Sequence, residues 1–304
     1  GAMPFSARGM LAAFPAKQWR AGDAVLSNDP YSGGSHLPDM TLLTPIFDDA
    51  GPLGFAASRV HWPDIGGAAP GSSAVTDEII REGLRIPPVK IIHEGEMDPG
   101  IAAIVFANVR VPADRVGDFK AQVACNRRGV ERVGTLVARH GGEVVRQVLA
   151  QTQDYSAHMV EVVLESIADG DYSAATHLDG DGYIEDEGEG PLRVAVTISK
   201  RGKRIHCDFA GTAPQARGPM NAPVSVTASA CYYTLLALAG GEVPPNSGAY
   251  RPMTLDAPAG SLVNAVYPAP VVAGNTEMSN RLVDLLLQAL SPAISERVIG
   301  ESYG

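Results

Sequence analysis

The sequence is poor in the features that mark several classes of protein. Its only three cysteines, Cys125, Cys207 and Cys231, form no CxxC pair, so neither a disulfide framework nor a zinc–thiolate site is expected. No apolar run reaches the roughly 18 residues that span a bilayer, and the opening residues lack the charged and apolar regions of a signal peptide. We therefore expect a cytoplasmic protein with reduced thiols that does not enter a membrane.

A basic surface and the common nucleotide motifs are missing as well. The net charge is −10, which argues against nucleic acid as a partner. The glycine-rich stretch Gly66–Ser73 matches neither the lysine–serine pattern of a P-loop nor GxGxxG, and no GxSxG nucleophile elbow occurs. The chain therefore carries no ATP-binding motif of these kinds.

What the sequence does contain is a change of periodicity along its length. The first third has short strand-like stretches joined by loops, whereas the residues from Pro112 to about 141 and from Glu143 to Ile167 have helical spacing. Alternation then returns, with further helices at Ser225–Gly240 and Glu277–Leu290. We predict an α+β fold with a strand-rich N-terminal part carrying metal-site loops (1–97), a central helical hairpin (98–168) and a second antiparallel sheet with flanking helices (169–304).

Two clusters near the N-terminus place a histidine three residues before an aspartate. "SNDPYSGGSHLPDM" contains His36 and Asp39, and "RVHWPDIGG" contains His61 and Asp64. Two imidazoles and one carboxylate, here His36, Asp39 and His61, are a common ligand set for zinc, manganese or non-haem iron. Asp64 would then be a fourth ligand or would orient a ligand histidine. The alternative is that both aspartates cap turns beside partly buried histidines.

Several longer motifs resemble the B component of N-methylhydantoinases. They are, in order, "NDPYSGGSHLPDMTLLTPIF", "RVHWPDIGGAAPGS", "EIIREGLRIPPVK", "ANVRVPADRVGDFKAQVACNRRG", "DFAGTAPQARGPMNAP" and "GNTEMSNRLVDLLLQAL". The same family includes the matching half of 5-oxoprolinase and the large subunits of acetone and acetophenone carboxylases. Its members begin several dozen residues earlier and continue further, so we expect this chain to be an interior portion of a longer protein.

The resemblance implies a two-component, ATP-dependent enzyme that forms a hetero-oligomer. A component of the hydantoinase A type binds ATP and phosphorylates a small-molecule substrate, and the B-type component then acts on the activated species. In the ketone carboxylases the large subunit holds manganese through a His-x-x-Asp pair and a later histidine. Those positions fall on His36, Asp39 and His61 in this sequence.

Candidate residues for catalysis and binding surround these positions. Asp64, Asp29 and Glu82 are candidate proton acceptors, and Arg59, Arg85 and Asn28 are candidates for binding phosphate or a substrate carboxylate. A structural salt bridge or turn cap is the alternative for each. Asn221, Asn275 and Glu277 are weaker candidates for the same site or for a surface facing the partner.

Three functions remain open at this point. The first is hydrolysis of a cyclic amide such as a hydantoin, oxoproline or another lactam, which the stretch "NDPYSGGSHLPD" favours by its similarity to the hydantoinase branch. The second is carboxylation of a ketone. The third is a non-catalytic scaffold within a larger assembly.

Overall fold

The computed structural model describes residues 1–73, 75–182 and 191–298. It divides into two compact units. The N-terminal unit comprises Ala2–Ala74 and Ile79–Leu149, and the C-terminal unit comprises Gly1, Val75–Glu78 and the residues from Ala150 onward. Both units combine a sheet with helices, which confirms the predicted α+β class.

The N-terminal unit contains a five-stranded antiparallel sheet in the order β3-β2-β1-β4-β5. Its elements are α1 (Met3–Ala13), β1 (Ala24–Ser27), β2 (Asp39–Asp48), β3 (Gly51–His61), α2 (Ile79–Glu82), β4 (Val89–His93), β5 (Glu96–Met97), α3 (Pro99–Ala107) and α4 (Pro112–His140). Strands β1, β2 and β3 confirm the strand-like stretches predicted in the first third of the chain. Helix α1 and strands β4 and β5 were not predicted.

Long helix α4 packs on strands β2 and β3 through a partly polar face. Its buried side chains recur at spacings of four and three and so share one face; they are Arg115, Phe119, Gln122 and Asn126. Gln122 Nε2 donates to the carbonyl oxygens of Met40 (2.9 Å) and Ser58 (3.1 Å). The buried amide of Gln122 thus finds acceptors among the backbone carbonyls of the sheet, as a buried polar group requires.

Helix α5 (Gly142–Glu165) follows α4 directly in the chain and contains the boundary between the two units, so the packing of the two helices as a hairpin stays a prediction. Gly141 separates the helices with a φ of 82°, and its amide donates to Val137 O at 2.8 Å. This left-handed position is one that glycine adopts without steric cost. It explains why the helical pattern stops here.

The C-terminal unit contains a four-stranded sheet in the order β6-β7-β8-β9. Its elements are β6 (Gly170–Leu178), β7 (Leu192–Arg201), β8 (Arg204–Asp208), α6 (Val224–Leu238), β9 (Met253–Asp256) and α7 (Glu277–Ile294). β6, β7 and β8 are antiparallel as predicted, whereas β8 and β9 pair in parallel. Helix α7 packs on β6 and β7 and against α6, which closes the apolar core of this unit.

Across the described ranges, no helix has both the length and the apolar character needed to cross a membrane.

Candidate functional site

The two His/Asp clusters meet because strands β2 and β3 pair. Strand β2 begins at Asp39 and β3 ends at His61, and their register sets these two residues opposite each other. His36 precedes β2, and its ring centroid lies 5.1 Å from that of His61, with the ring planes at 41°. The three residues predicted as metal ligands are therefore neighbours at one end of the sheet.

A capped turn and close packing against α1 shape the loop that carries His36. Asp29 caps a short 3₁₀ turn by accepting a hydrogen bond from Tyr31 N at 3.0 Å. Gly33 follows with a φ of 97°, and a side chain there would collide with the backbone of Phe5 in α1. Ser6, also in α1, donates to Gly33 O at 2.8 Å. The turn therefore needs a glycine at this point, and α1 holds it in place.

Asp39 is held through one of its two carboxylate oxygens. Ser35 Oγ donates to Oδ2, while His36 Nδ1 lies 3.4 Å and Arg59 Nη1 lies 3.9 Å from the same oxygen. Oδ1 makes no hydrogen bond within the ranges that the structure describes. Burial raises the pKa of Asp39, but His36, Ser35 and Arg59 together outweigh burial and lower it. The group is therefore an anion with one oxygen available to a ligand.

Arg59 connects this carboxylate to three other parts of the unit. Its guanidinium donates to Thr41 Oγ1 at 2.9 Å, to Ser35 Oγ at 3.5 Å and to Ser6 Oγ. Burial lowers the pKa of Arg59, and the charge of Asp39 opposes that effect. An arginine engaged in this way holds the site residues in position and contributes a fixed positive charge.

The residue types suit a divalent cation. His36 Nδ1 is buried and makes no hydrogen bond. Asp39 Oδ2 lies 3.4 Å from it but is the oxygen that Ser35 and Arg59 already engage, so the oxygen of Asp39 that is open to a shared ion is Oδ1. Within the described ranges, however, no three His, Cys, Asp or Glu side chains form a complete ligand set. His61 is exposed, so its side chain is the one with room to turn toward the other two.

The structure gives Asn28, Asp29 and Arg85 structural partners. Asn28 donates to Leu37 O (2.8 Å) and Leu84 O (3.0 Å) and accepts from Ile86 N (2.7 Å). Its buried amide thereby ties the loop to the segment before β4. Asp29 Oδ2 accepts from Ser32 Oγ at 3.1 Å and from Arg85 Nη1 at 3.0 Å, so a predicted proton acceptor and a predicted phosphate ligand form one ion pair.

Asp64 and Glu82 are both buried. Asp64 accepts from the backbone amide and the guanidinium of Arg110, which also donates to Gly66 O and Gly67 O. Burial raises the pKa of Asp64, but the hydrogen bonds and charge of Arg110 outweigh it and lower the pKa. Glu82 is completely buried, and its carbonyl oxygen accepts from Ser72 Oγ. Asp64 thus fixes the loop after β3 to Arg110.

The weaker candidates lie in the C-terminal unit, apart from this cluster in the chain. Asn221 is fully buried and donates to Ala216 O, Gly218 O and Pro270 O at 2.8–3.0 Å, which is a structural role. Asn275 precedes α7, and Glu277 begins it.

Ser6, Ser35 and Arg110 were not identified from the sequence. Ser35 adjoins His36, and that adjacency was the only available signal. Ser6 and Arg110 lie 27 residues from Gly33 and 46 from Asp64, and such separations carry no readable spacing.

Comparison with known proteins shows the family to which this chain is similar over its whole length. The sequence profile of the hydantoinase B/oxoprolinase family matches residues 1–304. The putative B component of a D-/L-hydantoinase from Pseudomonas sp. strain NS671 is 32% identical over 286 residues, which cover 91% of this chain and 48% of that protein.

Two solved structures share the fold. The ATP-dependent caprolactamase from Pseudomonas jessenii matches with a TM-score of 0.89 and 30% identity, over 98% of this chain and 51% of the other. A nucleotide-free acetone carboxylase matches with a TM-score of 0.85 over 97% of this chain and 40% of the other, but at 18% identity, so that likeness concerns the fold alone. This chain thus spans about half the length of the hydantoinase and caprolactamase chains.

Proposed function

Because this chain belongs to the hydantoinase B/oxoprolinase family, we propose that it is the metal-dependent part of a two-component, ATP-dependent enzyme that hydrolyses a cyclic amide. The partner is an ATP-binding subunit of the hydantoinase A type, which phosphorylates the amide oxygen. Phosphorylation turns a poor electrophile into one with a good leaving group. The observation that carries the proposal is the cluster of His36, Asp39 and His61 in a chain with this family membership.

Three residues would hold the metal ion, which we expect to be zinc, manganese or iron. They are His36, Asp39 and His61, and the bound ion would lower the pKa of a water molecule. Ser35 and Arg59 keep the Asp39 carboxylate oriented and ionised through Oδ2. One carboxylate among two neutral imidazoles leaves a divalent site with a net positive charge.

The remaining candidates serve proton transfer and substrate binding. We assign Asp64 as the first proton acceptor, with Asp29 and Glu82 behind it. The lowered pKa of Asp64 keeps it ionised at neutral pH, which a base requires, although it also makes the base weaker. Arg59 and Arg85 are assigned to phosphate or substrate carboxylate, for which they supply the charge, whereas Asn28 is not, because Leu37 O and Leu84 O use both of its amide donors.

Ketone carboxylation is the second candidate function, because the motifs quoted above also resemble the large subunits of ketone carboxylases. One assay of the assembled enzyme with ATP distinguishes the two reactions by their products. Hydrolysis releases ring-opened product from hydantoin, oxoproline or caprolactam. Carboxylation instead incorporates labelled bicarbonate into a ketone and leaves the lactams intact.

Elemental analysis tests the metal site. We expect about one divalent ion per chain in the wild-type protein and little in His36→Ala, Asp39→Asn and His61→Ala. His93→Ala is the matched control, because His93 is an exposed histidine in strand β4 of the same unit. Equal metal content in the three site variants and the wild type would refute the assignment and would favour a scaffold role.

A further inference from the structure

A cavity with both charged and apolar lining lies in the C-terminal unit, outside the cluster described above. Its volume is about 370 Å³. One part of its wall is the first half of α7, where Glu277, Arg281 and Asp284 follow at spacings of four and three and so share one helix face. The rest comes from Leu178 at the end of β6, from Asp179, Gly180 and Gly182 just after it, and from Met220.

The charges around the cavity favour a ligand with a positive group. Among the lining residues that the structure describes, Asp179, Glu277 and Asp284 supply three carboxylates and Arg281 supplies one guanidinium. In the described ranges neither Asp179 nor Glu277 forms a hydrogen bond or ion pair with another side chain. A ligand ammonium group would give these carboxylates a charge-assisted partner.

The other residues that line the cavity indicate which groups the rest of the ligand should carry. Arg281 presents a guanidinium, the group that best matches a carboxylate. Leu178 and Met220 add apolar surface suited to a short run of methylene groups. The volume equals that of about a dozen water molecules, which limits the ligand to on the order of ten non-hydrogen atoms.

We propose that this cavity binds a small amino acid, with its ammonium group at Asp179 and Glu277 and its carboxylate at Arg281. The link to catalysis rests on the proposed function. Opening the phosphate-activated amide forms a C–O bond from water, breaks the C–N bond to leave the nitrogen as an ammonium group, and releases the activating group as inorganic phosphate. The product therefore carries the two charged groups that the cavity complements, and the cavity is a site for the ring-opened product.

Calorimetric titration of the purified chain with 6-aminohexanoate tests the proposal. Hexylamine and hexanoate are the matched ligands that lack one charged group each, and caprolactam lacks both. We expect 6-aminohexanoate to bind most tightly. Glu277→Gln should weaken 6-aminohexanoate and hexylamine at least tenfold without affecting hexanoate. Arg281→Gln should weaken 6-aminohexanoate and hexanoate without affecting hexylamine.

Two further variants guard against indirect effects. Asp179→Asn lies in a loop and should repeat the Glu277→Gln pattern without altering α7. Glu131→Gln removes an exposed carboxylate from α4 and should bind like wild type. No binding by the wild type, or equal binding by all variants, would overturn the proposal.

Turnover by the assembled enzyme separates this inference from the proposed function. Lactam hydrolysis without amino-acid binding to this chain would refute only the cavity assignment. Amino-acid binding without ATP-dependent lactam hydrolysis would refute the proposed function and leave the cavity as an amino-acid site.

Discussion

At the scale of single residues, the neighbours of Asp39 decide what its carboxylate can do. Ser35, His36 and Arg59 all approach Oδ2, so the orientation of the group is set before any ligand arrives. Pre-oriented ligands lose less conformational freedom on binding. The affinity for a metal should therefore depend on residues that never touch it.

Ser35→Ala tests that dependence. The variant removes the hydroxyl that donates to Asp39, and we expect metal affinity to fall about 10- to 100-fold, as is typical when an outer partner of a ligand is lost. Ser32→Ala is the control, because it removes a serine–aspartate hydrogen bond in the same loop, to Asp29. Competition with a chelating dye measures both. Equal metal affinities of Ser35→Ala and the wild type would show that Ser35 does not position Asp39.

Asp39 and Asp64 should differ although both follow a histidine by three residues. Asp39→Asn should lose the metal. Asp64→Asn should keep most of it, yet the assembled enzyme should lose turnover about 10²- to 10⁴-fold, the range for a general acid–base group. Metal content and single-turnover rates measure the two effects. If Asp64→Asn empties the site as fully as Asp39→Asn, Asp64 is a ligand.

The contact between Asp64 and Arg110 also predicts a pH dependence of stability. The folded-state pKa of Asp64 is lowered, so its contribution is present above the unfolded value of about 3.9 and is lost as pH falls through the folded pKa. Asp64→Asn should therefore be less stable than wild type by about 1–3 kcal/mol at neutral pH, and the difference should shrink below about pH 4.

Urea unfolding at several pH values measures this difference. Asp154→Asn is the control, because Asp154 forms an exposed ion pair with Arg251, and such pairs contribute about 0–1 kcal/mol. A gap between wild type and Asp64→Asn that stays constant into strong acid would contradict the role given to the Asp64 charge.

At the scale of elements, the backbone of helix α1 packs directly against the backbone of the loop that carries His36. A side chain at Gly9 would occupy the position of Ser32 O. Gly9→Ala should therefore displace α1 and cost about 1–3 kcal/mol of unfolding free energy, the usual range for overpacking. Gly117→Ala in α4 meets no atom within 4 Å and should stabilise by about 0.5–1 kcal/mol.

Thermal and urea unfolding of the two alanine variants measure these opposite effects. The metal affinity of Gly9→Ala should fall with its stability, because Ser6 in α1 supports both Gly33 and Arg59. Two variants that change stability in the same direction would show that α1 does not pack as described.

The sequence predicted elements whose signal is local. Strands β2 and β3 and helix α4 have clear periodicity, and Gly141 marks the end of α4 through its own conformation. The polar buried face of α4 could not be predicted, because Gln122 and Asn126 are buried only where sheet carbonyls accept from them. Likewise the parallel pairing of β8 with the short β9 depends on chain topology, which periodicity does not encode.

The same distinction applies to the candidate site. Residue types and spacing were enough to single out His36, Asp39 and His61, because a turn and a strand pair bring them together. The side-chain partners of the other candidates were not predictable. Arg85 pairs with Asp29 and Arg110 with Asp64 across 56 and 46 residues, so only the folded chain shows that these carboxylates are already engaged.

At the scale of the whole molecule, the two units hold different candidate sites. The proposed metal ligands all lie in the N-terminal unit, and the cavity proposed for amino acids lies in the C-terminal unit. The chain spans about half the length of the hydantoinase and caprolactamase chains that it matches. Metal binding and amino-acid binding should therefore be measurable on this chain alone, whereas turnover needs more.

Dependence on an ATP-binding partner is the prediction at this scale. Phosphorylating an amide oxygen needs groups that cradle the phosphates of ATP, and we assign these to the partner. We expect this chain alone to show no ATP binding by calorimetry and no lactam-dependent release of phosphate. Addition of a partner of the hydantoinase A type should produce both phosphate release and ring opening.

The Asp39→Asn protein with the same partner should still release phosphate but should not open the ring. Activation of the lactam needs only the partner, whereas attack on the activated species needs this chain. Tight binding of ATP to this chain by itself would contradict the proposed division of labour.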